Sequence, residues 1–334
     1  MQNLLDPAIL FFVFGVLAGA LRSNLEVPAQ IAKFLSLYLL MALGLKGGFA
    51  LAKSGFGPEV ILSLSVAVMM AFVVPILGYQ ILKNSIPKFD AAAIAASYGS
   101  VSAVTFVTAM QFLENNGMSF GGHMAVAMVL MESPAIIMAV LLANTLRHAT
   151  SSVALPSGGA IAIQQGAQEG ALSLKKIVHE SFTDGAHLLL LGSMAVGFIS
   201  GEAGKAMMQP FSGDLFKGML AFFLLDMGLM VAKNFGSAKA APKRLLLYAG
   251  LAPVLHASIA LIASALLGIS TPDAILLMVL SASASYIVVP AVLRYAIPEA
   301  NPAMYFGLSL GITFPLNILV GIPLYTQAAQ RFLG

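Results

Sequence analysis

Two runs of small hydroxyl-bearing residues could do chemistry: Ser97-Tyr98-Gly99-Ser100-Val101-Ser102 and Ser281-Ala282-Ser283-Ala284-Ser285. Each lies in the middle of an apolar stretch, the first followed by Thr105 and Thr108, the second by Pro290. Gly99 and Pro290 favour interrupted helix geometry, and a helix that restarts there presents unpaired N–H groups and a positive dipole end. Two such ends, with the serine hydroxyls, form a cradle for a small anion that needs no buried arginine. Gly99, Ser100, Ser102, Ser283 and Ser285 are the candidate anion-binding residues. Small residues also serve simply to glue apolar helices together; the occurrence of a matched pair favours a site.

A second set could hold a hard cation. Glu132 lies deep in an apolar stretch, in Met131-Glu132-Ser133-Pro134, where an acidic residue is costly and functional by default. Its counterpart is Thr313 in Thr313-Phe314-Pro315-Leu316-Asn317. Each proline frees a backbone carbonyl four residues back. Glu132, Thr105, Thr313, Asn317 and those carbonyls are oxygen ligands suited to sodium rather than to a transition metal. A protonated Glu132 in a structural hydrogen bond is the plain alternative, and a proton-coupled version of the site is also compatible. Lys46 and Asp226 could form a buried pair or could lie near an interface. His256 reads as structural, and His187, close to the end of an apolar stretch, carries less weight still. Phosphate-loop and His-Glu-x-x-His motifs are absent. Gly307-Leu308-Ser309-Leu310-Gly311 matches a nucleophile elbow only in letters, because it lies within an apolar stretch. No enzymatic activity is expected.

The elements that position these residues follow from composition. Of 334 residues, 59% are hydrophobic and 9% charged, against about 25% charged in a soluble domain. Water could not wet such a surface, so a bilayer is the expected solvent. A net charge of +3 leaves no basic face for nucleic acid, and the absence of cysteine removes disulfides and zinc–thiolate sites. A helix crossing ~30 Å of hydrocarbon needs about 20 residues. Ten stretches are candidates, of which the first, sixth and seventh are short: Pro7–Leu21, Phe34–Leu51, Val60–Leu82, Ala91–Leu113, Met124–Leu146, Ala186–Ser200, Phe216–Val231, Leu245–Gly268, Ala274–Ala296 and Ala303–Ala328. The first is read as a retained helix, since no basic residue precedes it.

Charge sets the orientation. With the N-terminus outside, the inward loops carry Arg22, Lys33, Lys83, Lys88, Arg147, Lys175, Lys176, Lys233, Lys239, Lys243, Arg244 and Arg294. The outward side carries only Lys46, Lys53, Lys205, Lys217 and Arg331. Cytoplasmic loops are enriched in Lys and Arg, so both termini are expected outside and the long loop at 148–183 in the cytoplasm. Within that loop Leu172–Phe182 has the spacing of a short amphipathic helix, able to lie on the membrane or dock a partner.

The halves echo each other. Asp6 and Gly19 match Asp184 and Gly197; Leu43-Gly44-Leu45 matches Met227-Gly228-Leu229; Asp90, Ser100 and Ser102 match Asp273, Ser283 and Ser285; Pro134 matches Pro315. Five spans per copy is odd, so the second copy enters inverted, the plan of many secondary transporters. The expected fold is an all-α polytopic membrane protein of ten helices: a first repeat at 1–147, the loop at 148–183 and a second repeat at 184–334. Gly15-x-x-x-Gly19, Gly44-x-x-x-Gly48 and Gly197-x-x-x-Gly201 are close-approach faces, which groups spans 1, 2, 6 and 7.

These segments resemble the SbtA-type sodium-dependent bicarbonate transporters over nearly the whole chain. The likeness is densest at Tyr98–Ser102, at Pro134 with Ala143-Asn144, and at Ile297-Pro298-Glu299-Ala300-Asn301-Pro302 leading into Gly311–Pro315. The resemblance implies a gate domain (1–56 and 184–241) and a core domain (57–147 and 242–334) with crossing discontinuous helices. It also implies a homotrimer joined through the gate domain, elevator-type uptake of bicarbonate coupled to Na+, and inhibition by a PII-like cytosolic protein. The location expected is the bacterial cytoplasmic membrane, in contact with lipid. Two departures stand out: Tyr286 follows Ser285 where the family pattern continues into an acidic residue, and Glu132 stands where it has Asp. The loop is also shorter and less charged. Other readings are a sodium- or proton-coupled transporter of another small carboxylate or oxyanion, a passive anion channel, or a membrane scaffold that binds a partner through Leu172–Phe182.

Overall fold

In hydrocarbon a backbone must satisfy its own hydrogen bonds, and a helix does so within one segment. The computed structural model describes residues 6–55, 57–153, 185–239 and 241–334, and among these every regular element is helical. The Leu172–Phe182 segment and the Asp184 match lie outside the described residues. The first half comprises α1 (Pro7–Ala20), α2 (Ala29–Ser54), α3 (Pro58–Leu82), α4 (Lys88–Gly99), α5 (Ala103–Asn115) and α6 (Met124–Val153). The second comprises α7 (Gly185–Met208), a π-helical turn at Gln209–Asp214, α8 (Leu215–Lys239), α9 (Lys243–Leu267), α10 (Thr271–Ala282), α11 (Val288–Ala296), α12 (Pro302–Leu308) and α13 (Ile322–Leu333). Between α12 and α13 the chain stays helical through two π turns, Ser309–Thr313 and Asn317–Gly321.

Among the described residues seven stretches are long and apolar enough to cross a membrane, and the longest, Gly185–Gly236, runs for 52 residues. Pro7–Ala20 and Thr271–Ala282 are shorter apolar helices.

Local chemistry explains the boundaries. Asp6 caps α1, its Oδ1 accepting from Ala8 N at 2.8 Å, and Pro7 fills the first position, where no N–H is needed. α9 ends at Gly268, which adopts a left-handed φ of 65° that costs glycine nothing. Pro75 and Pro253 sit inside α3 and α9.

Packing sorts the helices into two groups. α1 lies along α8 and α2 along α7, while α3, α4 and α6 pack together and α9 packs on α10. Glycine makes the first two crossings possible. A Cβ on Gly48 would fall 2.9 Å from Gly197 Cα, and one on Gly228 would fall 3.0 Å from Gly15 Cα. Gly15, Gly19, Gly44, Gly48 and Gly197 thus serve as the close-approach residues their spacing predicts. Gly201 does not: it has φ 56° at a kink within α7, with open space around it.

The half-helices α4 and α10 form the centre; every residue from Asp90 to Gly99 and from Asp273 to Ala282 is buried. Their acidic residues do matching work. Asp90 accepts from Asn301 N at 2.7 Å, at the start of α12, and Asp273 accepts from Gly121 N at 2.7 Å, just before α6. Nearby, Arg147 donates to Glu299 at 2.8 Å through both Nε and Nη2, and this pairing holds the Glu299 carboxyl below its usual range. Lys46 pairs with Glu114 at 3.0 Å rather than with Asp226.

Candidate functional site

Both serine runs break their helices. Ser100 ends α4 with extended backbone (φ −93°, ψ 178°), and Ser283 ends α10 in the same way (φ −80°, ψ 167°). Each chain then restarts as a helix, α5 after Ser102 and α11 after Ile287. Pro75 of α3 helps fix the first break, because a Cβ on Gly99 would fall 2.7 Å from the Pro75 ring. Glycine is needed there for close approach.

The two breaks are tied to each other. Ser102 N donates to Ser283 Oγ at 2.9 Å, and Ser285 N donates to the Ser97 carbonyl at 2.8 Å. Each following serine also accepts from an N–H in the first turn of its restarted helix, Ser102 as the N-cap of α5. Ser102 Oγ accepts from Thr105 N at 3.2 Å and from the Thr105 hydroxyl at 3.0 Å, while Ser285 Oγ accepts from Val289 N at 3.3 Å. A helix leaves its first N–H groups without internal partners, so two partly uncapped, positive helix ends face one place.

That place is a cavity of about 90 Å³, lined by Val101–Val104 and Ser285–Ile287 from the breaks, Glu132 and Met128 from α6, and Ala186, His187 and Leu190 from α7. Ser36 and Leu40 of α2 complete its wall. Of the predicted anion-binding residues, Ser102 and Ser285 reach the cavity. Ser283 supports it through Ser102 N, and Gly99 packs beneath Pro75. Ser100 is buried, and its hydroxyl has no hydrogen-bond partner.

The predicted cation ligands are spread more widely. Glu132 lines the cavity, and its Oε2 lies against His187 Nε2 across the gap between α6 and α7. Thr105 is one hydrogen bond from the cavity through Ser102. Thr313 instead donates to the Ala249 carbonyl at 2.9 Å and shares a hydrogen bond with Tyr98 at 2.6 Å. Asn317 donates to the Ala282 carbonyl at 2.8 Å and accepts from Tyr325 at 3.0 Å. These two residues brace the ends of α4 and α10 instead of sharing a wall with Glu132. Among the described residues no cluster of three or more His, Cys, Asp or Glu could hold a metal ion.

Residues 7–330 match the family model of the Na+-dependent bicarbonate transporter superfamily. The chain belongs to this superfamily. Membership makes the protein a transporter rather than an enzyme, and with its apolar helices it makes the chain a multi-pass membrane protein. None of the curated proteins compared with it matches. For a member of the Na+-dependent bicarbonate transporter superfamily, the chemistry of the cavity is apt: helix ends and hydroxyls suit an anion, and a buried carboxylate suits a cation.

Sequence reasoning passed over His187 and Tyr286 as members of this wall. The signal for His187 was present: an ionisable residue within a span calls for a partner, and Glu132 needed one.

Proposed function

We propose that this protein imports bicarbonate by coupling it to sodium, through alternating access of elevator type. The observation that carries the reading is the convergence of the α5 and α11 N-termini, with Ser102 and Ser285, on one cavity beside Glu132. The anion would meet N–H groups and hydroxyls, and sodium would meet the Glu132 carboxylate. With the anion bound, sodium's charge is offset, so each ion favours the other at a distance where water screens little.

The architecture we propose is ten crossings in two inverted five-helix repeats. At ~1.5 Å per residue the 52-residue stretch Gly185–Gly236 is more than twice the ~30 Å hydrocarbon thickness, so it supplies two crossings. Mirrored contacts support the repeat. Exchanging halves turns the α1–α8 crossing into the α7–α2 crossing, and the Asp90–Asn301 bond into the Asp273–Gly121 bond. Helices α1, α2, α7 and α8 (within 1–56 and 184–241) form the gate, and α3–α5, α6 up to residue 147 and α9–α13 (within 57–147 and 242–334) form the moving core. Glu132 is the principal sodium ligand, with Thr105 beside it; Thr313 and Asn317 belong to the same brace around the breaks.

The test is uptake of labelled bicarbonate into proteoliposomes with and without an imposed inward sodium gradient. Accumulation above equilibrium that collapses without the gradient is expected. Equilibration unaffected by sodium would replace the reading with a passive channel, and accumulation of acetate or sulfate instead would overturn the substrate.

A further inference from the structure

We infer that His187 is a positioning residue for sodium, holding the Glu132 carboxylate in place from the opposite helix group; this rests on the proposed role of Glu132. Both side chains are nearly fully buried, Glu132 at 9% and His187 at 6% exposure, and both line the cavity that Ser102 and Ser285 reach. Their contact is direct, between His187 Nε2 and Glu132 Oε2. A carboxylate has two oxygens and about four lone-pair sites, so an oxygen held by an imidazole N–H leaves the other able to meet a cation. A buried hydrogen-bond partner fixes the orientation of such a ligand, and losing it typically costs about 10–100-fold in metal affinity.

The elements involved give the contact a second consequence. α6 packs chiefly on α3, α4, α10 and α11 and touches α2 only slightly, whereas α7 packs on α2 and the π turn at Gln209–Asp214. The Glu132–His187 contact therefore spans the two groups of helices. Glu132 is held for sodium only while α6 and α7 keep this register, and displacement of one group along the other releases it. Sodium affinity then differs between conformations, which is what coupling requires: a ligand shifts an equilibrium only by its differential affinity for the two states.

The experiment compares wild type, His187→Leu and His187→Gln in proteoliposomes, reading KM for sodium and KM for bicarbonate separately, each at a saturating concentration of the other ion. We expect His187→Leu to raise the sodium KM about 10–100-fold and to leave the bicarbonate KM within about twofold. His187→Gln, which keeps an N–H donor, should recover part of the loss. An unchanged sodium KM in His187→Leu, or both KM values rising in step as a packing defect would give, overturns the inference. A wild type indifferent to sodium would overturn the proposed function itself, and it shows before any variant is made. Should His187→Leu fail to insert, the rise in melting temperature that NaCl gives over choline chloride is read on His187→Asn, whose amide stops short of Glu132. Protection equal to that of the wild type overturns the inference, and lost protection supports it.

Discussion

A serine set between two half-helices works twice, because its backbone ties two segments while its hydroxyl meets a neighbour. Ser102 donates its N–H to Ser283 while its Oγ accepts from Thr105, and it still borders the cavity. Ser285 is its mirror. A hydrogen bond to a charged group contributes about 1.5–3 kcal/mol, roughly one to two factors of ten in affinity. Ser102→Ala and Ser285→Ala should each raise the bicarbonate KM roughly 10–100-fold, measured as labelled uptake at saturating sodium. Ser100→Ala is the control: its hydroxyl is unpaired and does not border the cavity, so near-normal uptake is expected. Equal losses in all three variants would dissociate the site from the cavity. At this scale residue type and spacing pick out both serine runs. They do not separate Ser100 from Ser102, because which hydroxyl turns inward depends on the extended backbone at Ser100 and Ser283. Nor does spacing reveal Glu132 and His187 as partners, since they lie 55 residues apart and meet only through tertiary structure.

Between helices the decisive quantity is how closely two backbones can approach. α2 and α7 cross at Gly48 and Gly197, α1 and α8 at Gly15 and Gly228, in both cases backbone to backbone. A side chain there has nowhere to go: a Cβ on Gly48 would lie 2.7 Å from Phe198 N, and backbone cannot swing aside as a flexible side chain would. Overpacking costs typically about 1–3 kcal/mol and occasionally more. Gly48→Val and Gly228→Val should therefore each lower the melting temperature of the purified protein by several degrees or abolish its folded yield. Gly250→Val in α9, with nothing within 4 Å of its Cβ, should leave the melting temperature close to that of wild type. A harmless Gly48→Val would mean that the α2–α7 crossing does not set stability. The four-residue glycine spacing made these crossings legible in advance, because it places two small residues on one helix face. Gly201 keeps the spacing but lies at a kink, where positive φ rather than contact requires glycine. The π turns around Phe314 were not legible at all: one extra residue per turn leaves an apolar stretch equally apolar.

For the molecule as a whole, the two cavities lie at opposite ends of α5. The smaller is at Ala103; a larger one, about 240 Å³, is at Asn115, lined by Thr108 and Gln111 of α5, by Asn116 just after it, by Asp6, and by Ile318 and Ile322. A transporter that exposes one site alternately needs a route from each side, and the breaks lie between these two. On the orientation proposed from the bias of Lys and Arg, Asn116 falls on the outward face and Ser36, near Lys33 at the start of α2, on the inward one. The proposed inverted repeat agrees with this placement, for inversion would put the mirrored breaks at a common depth and leave the approaches facing opposite ways. Absence of cysteine from the chain gives a clean assay, since any introduced thiol is the only one. In intact cells Asn116→Cys should react with a membrane-impermeant maleimide, and Ser36→Cys should react only in inverted vesicles. Sodium and bicarbonate together should change the two rates in opposite directions, as closing one approach opens the other. Labelling of both positions from one face would refute the topology, and rates that rise or fall together would refute alternating access while leaving the topology intact.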